Sequence, residues 1–438
     1  MQRRTFLQAG AAAASHLLVV SSQPAAAQTD GGPELRLALI GGGYQGRNLL
    51  SAAMAVGGVR VQAVCDIWEY SRRYCRSFLQ RYDQEVQLYE DFREMLDKER
   101  ELDAVLVATP DFVHEPQVSA CLEAGLHVYC EPMLAHTLDA ARSMIDSMRR
   151  SGKLLQIGYQ RRSDPRYRHA QEKLIAEAQL LGRVTVVQTQ WAQEAADLRG
   201  WPKRYLIPDE VLHRYGYEDM HQFRNWIWYP QYSSGPYGAF VSQQLDVCQW
   251  FLDVAPRTVM ASGGRDFFTD RPGLDTVLSV YEYPHSLGPV RVSCAMLTTT
   301  SGDGTRQFER FLGTQGYLQM SDNPRWARIG REPNAPDWDE WIKQNYVVKQ
   351  ERVAAHAAKE DELDVHVSGE VEQYQFPVMT QASGCQAHLE NFFQAVRGRE
   401  PLRCPADAAF PSQVAAFKAI EAVQAGATVT FAPSDFTT

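Results

Sequence analysis

Beyond its first 27 positions the chain contains no run of eighteen apolar residues, so nothing there reads as a membrane-spanning helix. Cysteine is sparse and unpatterned. The eight residues Cys65, Cys75, Cys121, Cys130, Cys248, Cys294, Cys385 and Cys404 form no CxxC pair and no zinc-ligand spacing. That excludes a disulfide framework and a zinc ribbon, and leaves the thiols as scattered small hydrophobes. Positive charge is in deficit, 44 Lys+Arg against 53 Asp+Glu, which argues against nucleic acid or an anionic membrane as partner. No nucleophile elbow, HExxH motif or P-loop occurs, and no metal site is expected. The acidic run Lys359-Glu360-Asp361-Glu362-Leu363-Asp364, with His366 nearby, lacks cation-loop spacing and reads as a solvated loop. The remainder is ordinary: 438 residues, 45% hydrophobic and 22% charged, imply two or three globular domains.

Residues 1–27 read as an address rather than as fold. Arg3 and Arg4 precede an Ala-rich apolar stretch from Phe6 to Val20, and Ala25-Ala26-Ala27 offers small residues to a signal peptidase. Gln2-Arg3-Arg4-Thr5-Phe6-Leu7-Gln8 resembles a twin-arginine export signal, with Gln2 where Ser or Thr is usual. The expectation is export of a folded protein to the periplasm, with reduced thiols and no membrane attachment after removal. Losing the two arginines takes the net charge from −9 to −11. Residues 28–34 are then a short leader.

From Leu35 short apolar runs alternate with helical periodicity. Leu35–Ile40, Val59–Cys65, Ala104–Ala108, His127–Cys130 and Leu154–Ile157 read as buried strands, and Val113–Ala124 and Leu138–Arg150 as helices. This alternation predicts a doubly wound parallel sheet. Gly41-Gly42-Gly43-Tyr44-Gln45-Gly46 follows the first strand and fits GxGxxG. Gly41 suits the tight turn, Gly43 a close approach of pyrophosphate, and Gly46 close packing of helix on strand. Asp66 ends the second strand, where a carboxylate accepts bonds from ribose hydroxyls and repels a 2′-phosphate. NAD is therefore favoured, while Arg72 and Arg73 keep NADP open.

With these features, Ala108-Thr109-Pro110-Asp111-Phe112-Val113-His114, Ala124-Gly125-Leu126-His127-Val128-Tyr129-Cys130-Glu131, Gly158-Tyr159-Gln160-Arg161-Arg162, His388-Leu389-Glu390-Asn391-Phe392 and Val396-Arg397-Gly398 stand in order. The chain thereby resembles the Gfo/Idh/MocA family (glucose–fructose oxidoreductase, inositol dehydrogenase, rhizopine catabolism). The resemblance implies a Rossmann domain over 35–157 and a second α/β domain over 158–438 with an open, mostly antiparallel sheet. It implies that Tyr44, Gln45, Thr109, Pro110, His114, Glu131 and Gln160 join Gly41, Gly43, Gly46 and Asp66 at the cofactor. It implies Arg162 and Asp246 near substrate, and an outer sheet face buried in a homo-oligomer. Independently, Val184–Gln190, Thr258–Ser262, Val277–Tyr283, Val290–Met296 and Gly316–Met320 read as strands, and Gln386–Val396 and Gln413–Ala425 as helices.

The family's hydride-transferring members resemble one another at Glu-Lys-Pro and at Asp-x-x-x-His-x-x-Asp. Here the lysine position is Pro132, and the second motif reads Ala239-Phe240-Val241-Ser242-Gln243-Gln244-Leu245-Asp246, with Gln243 at the histidine position. Gln243 cannot take a proton near neutral pH. Replacement candidates are Tyr159, His221 and Tyr237, the last in an expected Gly-Pro-Tyr turn, with Lys203 and Tyr205 weaker. Eight of the nine tryptophans fall between Trp191 and Trp341, and aromatic faces suit sugar rings. The leading expectation is an exported NAD-binding oxidoreductase for a sugar, polyol or glycoside, its cofactor held and recycled each turnover. Two alternatives stay open: a catalytically silent NAD-binding recognition protein, and a redox-neutral NAD-dependent glycoside-cleaving enzyme.

Overall fold

Six short apolar segments assemble the first sheet in the computed structural model, which describes Leu18–Val19 and residues 34–195, 197–302, 304–350, 371–380 and 382–438. Apart from Leu18–Val19, which lies parallel to Val378–Met379, the expected export segment is outside the described residues. The acidic run at 359–364 and His366 are outside them too.

The strands are β1 (Leu35–Ile40), β2 (Val59–Cys65), β3 (Gln87–Tyr89), β4 (Ala104–Val107), β5 (His127–Cys130) and β6 (Leu155–Ile157). They lie in the order β3-β2-β1-β4-β5-β6, every pair parallel. Helices α1 (Tyr44–Val56), α2 (Glu69–Gln80), α3 (Phe92–Lys98), α4 (His114–Glu123) and α5 (Leu138–Ser151) make the crossovers. Burial on both faces explains the uninterrupted apolar strands. α5 shows how local chemistry sets the ends: Thr137 caps it by accepting from the Ala140 N–H, and Gly152, at φ +63°, closes it in the left-handed region.

The second sheet has ten strands: β7 (Val184–Ala192), β8 (Thr258–Gly264), β9 (Thr276–Tyr283), β10 (Val290–Leu297), β11 (Gln307–Gly313), β12 (Gly316–Met320), β13 (Arg328–Arg331), β14 (Val348–Lys349), β15 (Glu372–Gln375) and β16 (Val429–Thr430). Their order is β14-β15-β13-β12-β11-β7-β10-β9-β8-β16, and only β7 and β10 run parallel. One face packs on α6 (Gly235–Leu252) and α8 (Ala406–Ala425). On β9, Val277, Ser279, Tyr281 and Tyr283 are buried while Leu278 and Val280 are exposed, as period-two alternation requires.

Two local expectations are corrected. Gly235–Tyr237 is not a free turn: it opens the 18-residue helix α6, with Pro236 in the first turn, where a missing N–H costs nothing. The central strand β11 was hidden by Glu309 and Arg310; Glu309 is fully buried against Arg161 and Tyr167.

The two domains are joined by specific buried contacts. Just past the boundary, within the second domain, Arg162 donates from Nε and Nη2 to Asp246 at 2.8 and 2.9 Å. Gln413 donates to the Ala135 carbonyl at 2.7 Å. His388 lies 2.9 Å from the Ile157 carbonyl, and burial lowers its imidazole to about 4, so it stays neutral. Helix α7 (Gly384–Val396) returns to the first domain, where Leu389, Phe392 and Phe393 complete an apolar cluster with Leu37, Leu39 and Leu49.

Candidate functional site

The strand ends β1, β2 and β4 carry the glycine turn, Asp66 and Thr109 to one edge of the parallel sheet. There, at the point where strand order reverses, α/β sheets bind dinucleotides. Gly41 has φ +95°, and a Cβ would stand 2.5 Å from the Ala108 carbonyl oxygen. A Cβ on Gly46 would stand 1.9 Å from the Gly41 oxygen, so helix α1 can lie on the turn only with glycine there. Nothing lies within 4 Å of where a Gly43 Cβ would point. Gly43 is also the uncapped N-terminus of α1, with no acidic residue in its first turn, which leaves N–H groups free for an anion.

Asp66 is held by two backbone donors, Gly42 N–H at 2.7 Å and Trp68 N–H at 2.7 Å. Burial pushes its carboxyl up, and these two N–H groups pull against that. A carboxylate has about four acceptor positions, so two remain for ribose hydroxyls. A cavity of about 350 Å³ runs from the glycine turn past Asp66 to Thr109 and Pro110. A dinucleotide such as NAD fits this cradle: glycine where backbone must approach, open N–H groups and a fixed carboxylate.

The far side of this cavity is lined by Arg199, Tyr215, Tyr217, Phe223, Arg224 and Trp226. They come from a stretch of the second domain that packs on two Rossmann loops. Trp68 donates from Nε1 to the Tyr205 carbonyl at 2.6 Å, and Tyr217 meets Phe112 edge-on at 5.4 Å. This cover was not foreseen as part of the cofactor cleft. Its only sequence signal was the density of aromatic residues between Trp201 and Tyr232.

A second cavity, of about 600 Å³, shares Gln45 with the first. Glu131, Pro132 and Gly158 line it from the ends of β5 and β6, with Gln160; Gln243, Ala239 and Phe240 line it from α6, and Trp191 from β7. Trp191 and Phe240 stack, with centroids 4.7 Å apart and planes within 5°. The structure thus brings Pro132 and Gln243 to one cavity, together with Gln45, Glu131 and Gln160. Glu131 is buried; burial pushes its carboxyl up to about 7, against hydrogen bonds from Gln45 and Tyr129.

Other candidates lie elsewhere. Tyr44 lines the first cavity and is largely exposed. His114 is buried behind the cleft, its Nδ1 2.8 Å from the Met133 carbonyl and its Nε2 2.8 Å from that of Thr109; it positions the two loops. Arg162 and Asp246 bind each other within the second domain and line neither cavity. Tyr159 is buried beside Asp246 and Ser242, and burial pushes its phenol up. Tyr237 points into the core, bonded to Ser279 at 2.6 Å and Tyr281 at 2.9 Å, because α6 turns it toward β9. His221 pairs with the Tyr229 hydroxyl at 3.0 Å outside both cavities. Arg72 donates to the Asp66 carbonyl, and Arg73 pairs with Glu69. Lys203 and Tyr205 form a short 3-10 turn in the cover.

Residues 35–159 match the family profile described as "Oxidoreductase family, NAD-binding Rossmann fold", Gfo/Idh/MocA. An inositol 2-dehydrogenase of Rhodococcus erythropolis is 32% identical over 187 residues, 41% of this chain and 50% of that protein. An inositol 2-dehydrogenase/D-chiro-inositol 3-dehydrogenase of Shouchella clausii is 33% identical over 155 residues, 35% of this chain and 43% of that one. The chain spans about half the length of these curated relatives. Among solved structures, the WlbA dehydrogenase of Bordetella pertussis, in complex with NADH and UDP-GlcNAcA, superposes with TM-score 0.67 at 14% identity. That likeness covers 92% of this chain and 98% of that one. The aldose-aldose oxidoreductase of Caulobacter crescentus, complexed with glycerol, gives 0.65 at 17%, covering 91% and 100%. These likenesses establish a shared two-domain fold.

Proposed function

Since residues 35–159 carry the NAD-binding domain of the Gfo/Idh/MocA oxidoreductases, we propose that the protein oxidises and reduces a sugar, polyol or glycoside with an NAD it retains between turnovers. The observation that carries this reading is the polar cavity adjoining the dinucleotide cradle, walled by the stacked Trp191–Phe240 pair and the amides of Gln45, Gln160 and Gln243. Flat aromatic faces suit the apolar face of a sugar ring, and amides both donate to and accept from hydroxyls. A bound nicotinamide supplies the acceptor and donor of hydride. The chain's own groups position the sugar and exclude water.

Retention is supported by the cover from Arg199 to Trp226, which walls the cradle from the second domain. It accords with the expected twin-arginine export, since a periplasmic protein has no NAD pool to draw on. Retained cofactor in turn favours coupled oxidation and reduction of two sugars, or a transient oxidation within a redox-neutral glycoside cleavage. Met260, Leu278 and Val280 are exposed on the outer face of the second sheet, which supports a homo-oligomer. A catalytically silent NAD-holding protein is the competing reading, favoured by Pro132 and Gln243 in the cavity.

The test is to purify the protein from its periplasmic host fraction, release and identify its nucleotide, and add sugars, polyols and glycosides to the holoprotein. Bound NAD together with a reduced-nicotinamide absorbance change or released product is the expected result. Firmly bound NAD with no response across the panel would establish the silent reading.

A further inference from the structure

The wall of the 600 Å³ cavity contains two ionisable side chains, Glu131 and Cys385. Burial pushes the Cys385 thiol up to about 12, so it keeps its proton at neutral pH. Pro132 has no proton to exchange, and the amides of Gln45, Gln160 and Gln243 exchange none near neutral pH. One carboxyl is left facing the space beside the dinucleotide cradle.

Its placement is specific. The Glu131 N–H donates to the Val107 carbonyl at 3.0 Å, so the backbone continues the sheet and the side chain starts from its C-terminal edge. Gly158, on the neighbouring strand end, makes room: a Cβ there would stand 3.2 Å from Glu131 Oε1 and 2.9 Å from the Tyr129 hydroxyl. The Tyr129 hydroxyl donates to Oε1 at 3.4 Å, and Gln45 reaches the carboxyl from α1. The ionisable groups facing it are the buried Tyr129 and Cys130 from its own strand and the partly buried Cys385 from α7, all held protonated at neutral pH. Among the described residues, no cation contributes to the shift of its carboxyl.

We propose that Glu131 is a catalytic residue, the group that takes and returns the hydroxyl proton of the bound sugar. This rests on the redox reading above. In oxidation the hydroxyl O–H bond breaks and its proton passes to a carboxylate oxygen of Glu131. The C–H electron pair leaves as hydride to the oxidised nicotinamide, and the carbonyl forms; reduction reverses each transfer. A carboxyl that titrates at about 7 can hold either protonation state at working pH, which is what reversible transfer between two sugars requires.

The experiment compares wild type with Glu131→Gln and Glu131→Asp, all as purified holoproteins. Infrared difference spectra of the carboxylic-acid carbonyl band are taken from about pH 5 to about pH 9, and turnover is measured on any sugar active in the panel. Expected is a band that titrates near neutrality in wild type and is missing in Glu131→Gln, with turnover expressed per bound nucleotide. Turnover should fall about 10²- to 10⁴-fold in Glu131→Gln and recover partly in Glu131→Asp. A wild-type spectrum without a band titrating near neutrality overturns the proposal, whether or not the variants fold. Turnover of Glu131→Gln within about threefold of wild type overturns it and leaves the redox reading standing. A wild type that answers no sugar removes the redox reading and the role of Glu131 with it.

Discussion

The cleft has two sides built from different materials. The Rossmann side presents backbone: three glycines, the bare N-terminus of α1 and one carboxylate pinned by two N–H groups. The facing side presents side chains: a stacked tryptophan and phenylalanine, glutamine amides and a cover of aromatic rings. A backbone site recognises what every dinucleotide shares and tolerates almost no change. A side-chain wall can be rewritten residue by residue without disturbing the fold.

That contrast orders the expected effects of substitution. Gly46→Ala should be the most damaging. In an ordinary helix the change would stabilise by roughly 0.5–1 kcal/mol, but here the Cβ would stand 1.9 Å from the Gly41 oxygen. The expected loss is about 3 kcal/mol in denaturant unfolding, with nucleotide absent after purification. A stabilised, nucleotide-loaded variant would break the comparison at its strongest point. Asp66→Ala should cost about 1.5–3 kcal/mol of cofactor retention, the usual worth of hydrogen bonds to a charged group. Nucleotide content after exhaustive dialysis measures it, and unchanged occupancy would sink the ribose role. Trp191→Ala should be mildest, weakening sugar binding by about 0.5–1.5 kcal/mol with nucleotide content intact. Titration calorimetry on the holoprotein checks this; loss of nucleotide on the scale of Asp66→Ala would erase the distinction between the two sides.

The backbone side was also the more legible in sequence. Continuous apolar strands, a glycine turn at fixed spacing and an acidic residue after the second strand are local signals, and β1, β2 and β5 fall where those signals put them. The side-chain wall depends on contacts distant in sequence. Trp191 and Phe240 stack across 49 positions, and nothing local announces the pair. Charge concealed β11, because Glu309 finds its partners Arg161 and Tyr167 on other elements. Tyr237 was mislocated because one turn of helix decides whether a ring meets the cleft or the core. Strands β13, β14 and β15 are short and polar on a sheet edge, where no apolar run marks them. Arg162 and Asp246 were sensed as important, but their partners are each other.

The polar contacts between the two domains have a further consequence. Gln413 bonds the Ala135 carbonyl and the neutral His388 the Ile157 carbonyl, so buried polar contacts tie the second domain to the first. Hinge opening is a common way to admit a ligand between domains; here it would break both buried contacts. The aromatic cover meets the first domain at Trp68 and Phe112, and a nucleotide leaving past that cover would have to part those contacts.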